Sequence, residues 1–248
     1  MNTLGKLLLG ALGIGAIAAV AGTSTDAGAS PSGGSSGGDG NMASNALVLW
    51  SQLRAVRSLT ENQRLFLMLV AKGESNYSPT AWNKTPSESA AAGRAYDRLL
   101  EQDRLSAACS YTREELAIGS VGRFQRLAPY FVNDLRNVKP CADPQLDGRD
   151  GFWDIVSAIA TAAALSRNGS WNGRVSGLRG GWGTLAWLGG PPADKVAKWR
   201  GHARAAKLMG EGRDGGLFLD VVLTPFPSEL GPVVADLLAH RAAGAPSA

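Results

Sequence analysis

Glu74 is the residue of this chain best placed for acid–base chemistry. It ends an apolar run, Leu65-Phe66-Leu67-Met68-Leu69-Val70-Ala71, and precedes Ser75-Asn76-Tyr77-Ser78-Pro79. At helical spacing Leu67, Val70, Ala71 and Glu74 share one face. With that face buried, the carboxyl group leaves an apolar wall, and it also lies at the negative pole of the helix macrodipole. Both effects favour the protonated form. A carboxylic acid that keeps its proton near neutral pH is the general acid needed to break a glycosidic bond. Taken alone, the pattern also has a plainer reading: a helix-terminal Glu turned into solvent or paired with an Arg.

Other residue types narrow the chemistry. Glu88, Asp97, Glu101, Asp103, Glu114 and Glu115 supply carboxylates, but no spacing singles one out as a partner to Glu74, and they read as solvated helix faces. Cys109 and Cys141 are the two cysteines. In an exported protein they would form a disulfide contributing about 3–4 kcal/mol; in a cytosolic one they would be unrelated thiols. The two histidines, His202 and His240, lie far from both cysteines in sequence, which argues against a zinc site. No metal and no cofactor is expected. Tyr77 and Tyr130 are candidate cleft residues. Trp171 and Trp182 are candidates to line a sugar groove, while Trp153 and Trp199 read as core.

The elements that must position Glu74 lie C-terminal to a stretch of different composition. Lys6 precedes an uncharged apolar segment, residues 7–21, too short for a typical membrane span and suited to a signal-peptide core, with Ala19-Val20-Ala21 as a small-x-small cleavage site. The same segment also fits a retained membrane-contacting anchor. Residues 22–42 are almost all Gly, Ser, Ala, Thr, Asp and Pro, a composition that reads as a flexible linker. Residues 43–210 then read as one catalytic domain, with 211–248 as a C-terminal loop and helix packing on it. The formal net charge is +4, with basic residues scattered and no Lys/Arg run, so nucleic acid is not an expected partner. A mildly basic surface suits an anionic cell-wall polymer.

Hydrophobic periodicity predicts a mainly α chain. A helix is expected over 46–58. A second starts at Thr60, with Gln63 completing a capping box, and runs to about Gly73 as the central helix. Polar helix is expected over 86–107, a short helix over 112–118, and a mixed stretch over 124–138 that Pro129 restarts. Asp150 is expected to cap a helix over 152–167, which Asn168-Gly169 stops. A Gly/Trp-rich segment follows at 180–192, then helices over 193–209 and 231–241. The only strand candidate is 217–223.

Motifs in order along this helical background carry a family resemblance. Glu74-Ser75-Asn76-Tyr77-Ser78-Pro79-Thr80-Ala81 resembles the first motif of the soluble lytic transglycosylases and the related goose-type lysozymes. Gly119-Ser120-Val121-Gly122-Arg123-Phe124-Gln125-Arg126-Leu127-Ala128-Pro129 resembles the second. Trp182, with Leu185-Ala186-Trp187-Leu188-Gly189-Gly190-Pro191, resembles the third. The resemblance covers roughly residues 60–200. It implies a lysozyme-like helical domain, here with a long insertion, residues 83–118, between the first and second motifs. It implies that Glu74 is the catalytic acid/base, that Ser75 orients it, and that Gly122 lets backbone approach the saccharide. Gln125 would hydrogen-bond sugar, and Tyr77, Phe124 and Trp187 would supply cleft surface. Phe124 stands where the family has Met, and Trp187-Leu188 where it has Tyr-Asn.

The implied substrate is the peptidoglycan glycan strand. Glu74 would protonate the oxygen between N-acetylmuramic acid and N-acetylglucosamine, then act as base on the muramyl 6-hydroxyl to give a 1,6-anhydro product. Two other readings stand beside this lytic transglycosylase: a muramidase that uses water, and a lysozyme-fold wall-binding or structural protein of a virion or envelope machine. The setting implied is export to a periplasmic or extracellular space, or a virion.

Overall fold

The computed structural model describes residues 39–167, Trp182, Val221 and 224–244. The mainly α expectation holds over these residues. Seven α-helices surround one three-stranded sheet among them. The segment 7–21 and most of the linker lie outside the described residues, as do the 193–209 helix, Trp187, and all of the third motif except Trp182. Among the described residues no helix is long and apolar enough to cross a membrane.

Helix α1, Asp39–Ala55, begins inside the segment read as linker. Polar composition hid its start, but Met42 and Ala46 pack against the same core as Leu49 and Leu53, and that packing carries the helix back to Asp39. Helix α2, Glu61–Ser75, starts at the expected capping box: the Gln63 amide donates to Thr60 Oγ1 (3.3 Å) and the Thr60 amide donates to Gln63 Oε1 (2.8 Å). Phe66 through Ala71 are buried without a break, which makes α2 the central helix.

The sheet was not expected from sequence. Strands β1 (Trp82–Asn83), β2 (Ser120–Val121) and β3 (Arg126–Leu127) have two residues each, too few for a period-2 pattern to register. They pair antiparallel in the order β1-β2-β3, with Trp82 opposite Val121 and Val121 opposite Arg126.

Between β1 and β2, the insertion folds as helix α3, Pro86–Glu101, capped by Thr85, and a short helix α4, Arg113–Leu116, with its own Thr112–Glu115 capping box. Helix α3 packs on β2, β3, α4 and on helix α5, Ala128–Leu135. A 3-10 turn, Asp147–Arg149, leads to helix α6, Trp153–Arg167. Asp150 does not cap α6 as expected. Its carboxylate meets Arg241 of helix α7, Leu230–Ala242, at 3.0 and 3.1 Å. Helix α7 packs on α1 and α6, and Val233 and Leu237 join one core with Leu53, Val70, Phe131 and Ile159. Cys109, in the insertion, is bonded to Cys141, beyond α5, with Cα atoms 5.5 Å apart.

Candidate active site

Glu74 lies in the last turn of α2 and is half-buried. The chain leaves that helix through two consecutive left-handed residues, Asn76 (φ 52°) and Tyr77 (φ 66°). Their amides donate back to the Lys72 and Ala71 carbonyls, each at 3.2 Å, so the helix end is closed without a glycine. Lys72 braces the turn by donating to Asn76 Oδ1 at 2.8 Å. The turn aims residues 78–81 at the sheet.

There the two motifs meet. The Gly122 amide donates to the Ala81 carbonyl at 2.9 Å, and β1 pairs with β2 immediately beyond. Trp82 fixes the same junction by donating its indole N–H to the Ile118 carbonyl at 2.8 Å. Residues 122–125 form the hairpin tip, with Gly122 at φ 76° and Gln125 at φ 45°. The Gln125 carboxamide donates to the Gly122 carbonyl at 2.8 Å, bracing the tip from inside.

The tip is anchored by residues that sequence reading did not single out. Arg123 is fully buried. Its Nη1 donates to Gln52 Oε1 (2.9 Å) and to the Gly151 carbonyl (2.8 Å), and its amide donates to Asp154 Oδ2 (3.1 Å). The Arg123 guanidinium and the Asp154 carboxylate stand 3.9 Å apart. Burial pulls Arg123 down and Asp154 up, each toward its neutral form, and their mutual attraction opposes both shifts. Helices α1 and α6 are thereby tied to the hairpin. A second knot ties β3 to α5 and α6. Asp134 Oδ2 accepts from Arg126 Nη2 (2.9 Å), Ser157 Oγ (2.9 Å) and Thr161 Oγ1 (3.0 Å).

Several expected roles change. Tyr77 is 1% exposed and belongs to the core; burial raises its hydroxyl pKa far above the ordinary value. Phe124 is fully buried in the core and offers no cleft surface. Gly122 is also buried. A Cβ there would stand 2.6 Å from the Gly148 carbonyl oxygen and 3.0 Å from Asp154 Cβ, so the glycine admits protein backbone, not saccharide. Ser75 donates to the Ala71 carbonyl at 3.2 Å, which directs its proton to the helix and not to Glu74. Trp182 is 3% exposed, edge-on to Phe66 with ring centroids 6.0 Å apart, and is core as well. Tyr130 is half-buried, with Arg126 over its ring and its hydroxyl accepting from Arg98 at 3.4 Å.

No family model, curated protein or solved structure matches the chain. Among the described residues no group of three or more His, Cys, Asp and Glu is arranged to hold a metal ion.

Proposed function

We propose that this chain cleaves peptidoglycan glycan strands, with Glu74 donating a proton to the departing glycosidic oxygen between N-acetylmuramic acid and N-acetylglucosamine. The observation that carries this reading is the Gly122-to-Ala81 hydrogen bond and the strand pairing beside it. They join the segment that follows Glu74 to a hairpin far along the chain, so two motifs of the family resemblance form one continuous structure at the end of a buried helix. A carboxyl group held on that helix needs no metal to break an acetal. The substrate acetamido group stabilises the cationic centre after the bond breaks. Glu74, now deprotonated, serves as base when the muramyl 6-hydroxyl is the group that attacks next. Attack by the muramyl 6-hydroxyl makes the protein a lytic transglycosylase; attack by water makes it a muramidase. The net charge of +4 favours residence on an anionic wall polymer. The reading carries with it an exported or virion-associated setting.

The test is Glu74→Gln on purified peptidoglycan. Release of soluble fragments should fall by about 100-fold or more, while circular dichroism and the unfolding midpoint stay near wild type. An unchanged rate overturns the reading. Wall binding by the wild type without any release of fragments points instead to a binding protein of the wall.

A further inference from the structure

The six acidic residues of the insertion are equivalent in sequence, and the fold separates them. Asp97 spends both oxygens on Arg113, at 2.9 and 3.3 Å. Glu115 closes the capping box on the Thr112 amide at 2.7 Å. Glu101, Asp103 and Glu114 are exposed. Glu88 differs from all of them. It is half-buried in the first turn of α3, and its Oε2 accepts from Ser120 Oγ at 2.7 Å. Ser120 is 4% exposed and belongs to β2, directly opposite Asn83 on one side and Leu127 on the other. Glu88 Oε1 accepts no hydrogen bond from any described residue.

We propose that Glu88 is the second carboxylate of the Glu74 site and that it activates water, so that the bond is hydrolysed. This rests on the glycan-cleaving reading of Glu74. A general base needs one oxygen held and the other open to the incoming molecule, and Glu88 has that division. Its backbone is also fixed, because the Glu88 amide donates to the Thr85 cap at 3.4 Å. The two glutamates occupy opposite poles of their helices: Glu74 at the C-terminus of α2, Glu88 at the N-terminus of α3, where the dipole favours negative charge. The sheet that holds Ser120 is the one bonded to the Glu74 segment through Ala81 and Gly122.

In the step so assigned, Glu74 gives its proton to the glycosidic oxygen as the bond to the anomeric carbon breaks. The water oxygen bonds to that carbon and gives a proton to Glu88 Oε1. The products are a reducing-end sugar and a sugar with a free hydroxyl. Solvent carries the proton from Glu88 back to Glu74, and nothing is oxidised or reduced.

Mass spectrometry of peptidoglycan digested in heavy-oxygen water tests this. The wild type should leave reducing ends that carry one solvent oxygen per cut. Glu88→Gln, whose amide oxygen still accepts from Ser120, should lower reducing-end formation by about 100-fold and turn the residual product to 1,6-anhydro ends. Ser120→Ala should slow the reaction by about tenfold with reducing ends retained. A wild type that yields only anhydro ends overturns the proposal for Glu88 and leaves Glu74 standing. So does a Glu88→Gln variant with wild-type formation of reducing ends. A wild type that makes no cut overturns both.

Discussion

Gly122 shows how much a single position can carry. Its φ of 76° is left-handed, and its missing side chain leaves room for the Gly148 carbonyl and for Asp154. Gly122→Ala meets both obstacles together: the left-handed conformation is disfavoured for an L-residue, and the contacting atoms belong to backbone and to a fully buried side chain. We expect a loss of at least about 2 kcal/mol in urea unfolding. The family resemblance set this glycine against a saccharide, and the fold sets it against the Gly148 carbonyl and Asp154 instead. The same reversal applies to Tyr77 and Phe124. Residue type alone does not tell a cleft aromatic from a core aromatic, and here both rings face the core. Glu88 is the converse case. It was one acid among six until the fold placed Ser120 against it. Arg123 and Asp154 left no readable signal, because a buried ion pair joining a hairpin to a helix has no periodicity of its own.

Elements with strong local rules were legible. Thr60 with Gln63 announced the start of α2, and the apolar residues whose spacing predicted α6, Phe152, Ile155, Val156, Ile159 and Ala163, are all buried. The sheet was not legible, since two-residue strands are set by the register between distant segments and not by their own composition. Among the connecting elements, the loop before α4 rests on Tyr111. Its hydroxyl donates to the Ala142 carbonyl at 2.9 Å and lies 3.3 Å from the Pro140 carbonyl. Burial, with Asp147, Asp143 and Glu115 nearby, pushes its pKa up to about 12 from the ordinary value of 10.0. The folded value is the higher one, so this contribution to stability is complete below the unfolded value and is lost as pH rises through the interval up to the folded one. Tyr111→Phe should cost about 1 kcal/mol at neutral pH. The gap between wild type and variant should narrow across that alkaline interval, as read from urea midpoints. A gap that widens there would reverse the assigned sign.

At the scale of the whole molecule, long-range ties do the work that short strands cannot. The Cys109–Cys141 bond closes a loop of sequence separation 32 that contains β2, β3 and α5. Replacing both cysteines with Ser should lower stability by about 3–4 kcal/mol, and a dithiol reductant should lower the wild-type unfolding midpoint by a similar amount while leaving the double variant unchanged. Composition hinted at this bond only through the guess of export. The C-terminal helix was expected to pack on the domain, but nothing in the sequence named α1 as its partner. Ser51 bonds His240 at 3.1 Å across 189 positions, and the Arg57 amide bonds Asp236 at 3.0 Å across 179. Neither contact can form before the ribosome has made α7. The face of α1 that α7 covers therefore stays uncovered until residues 230–242 have been made, after every helix from α2 to α6, and the core that the two helices share closes last.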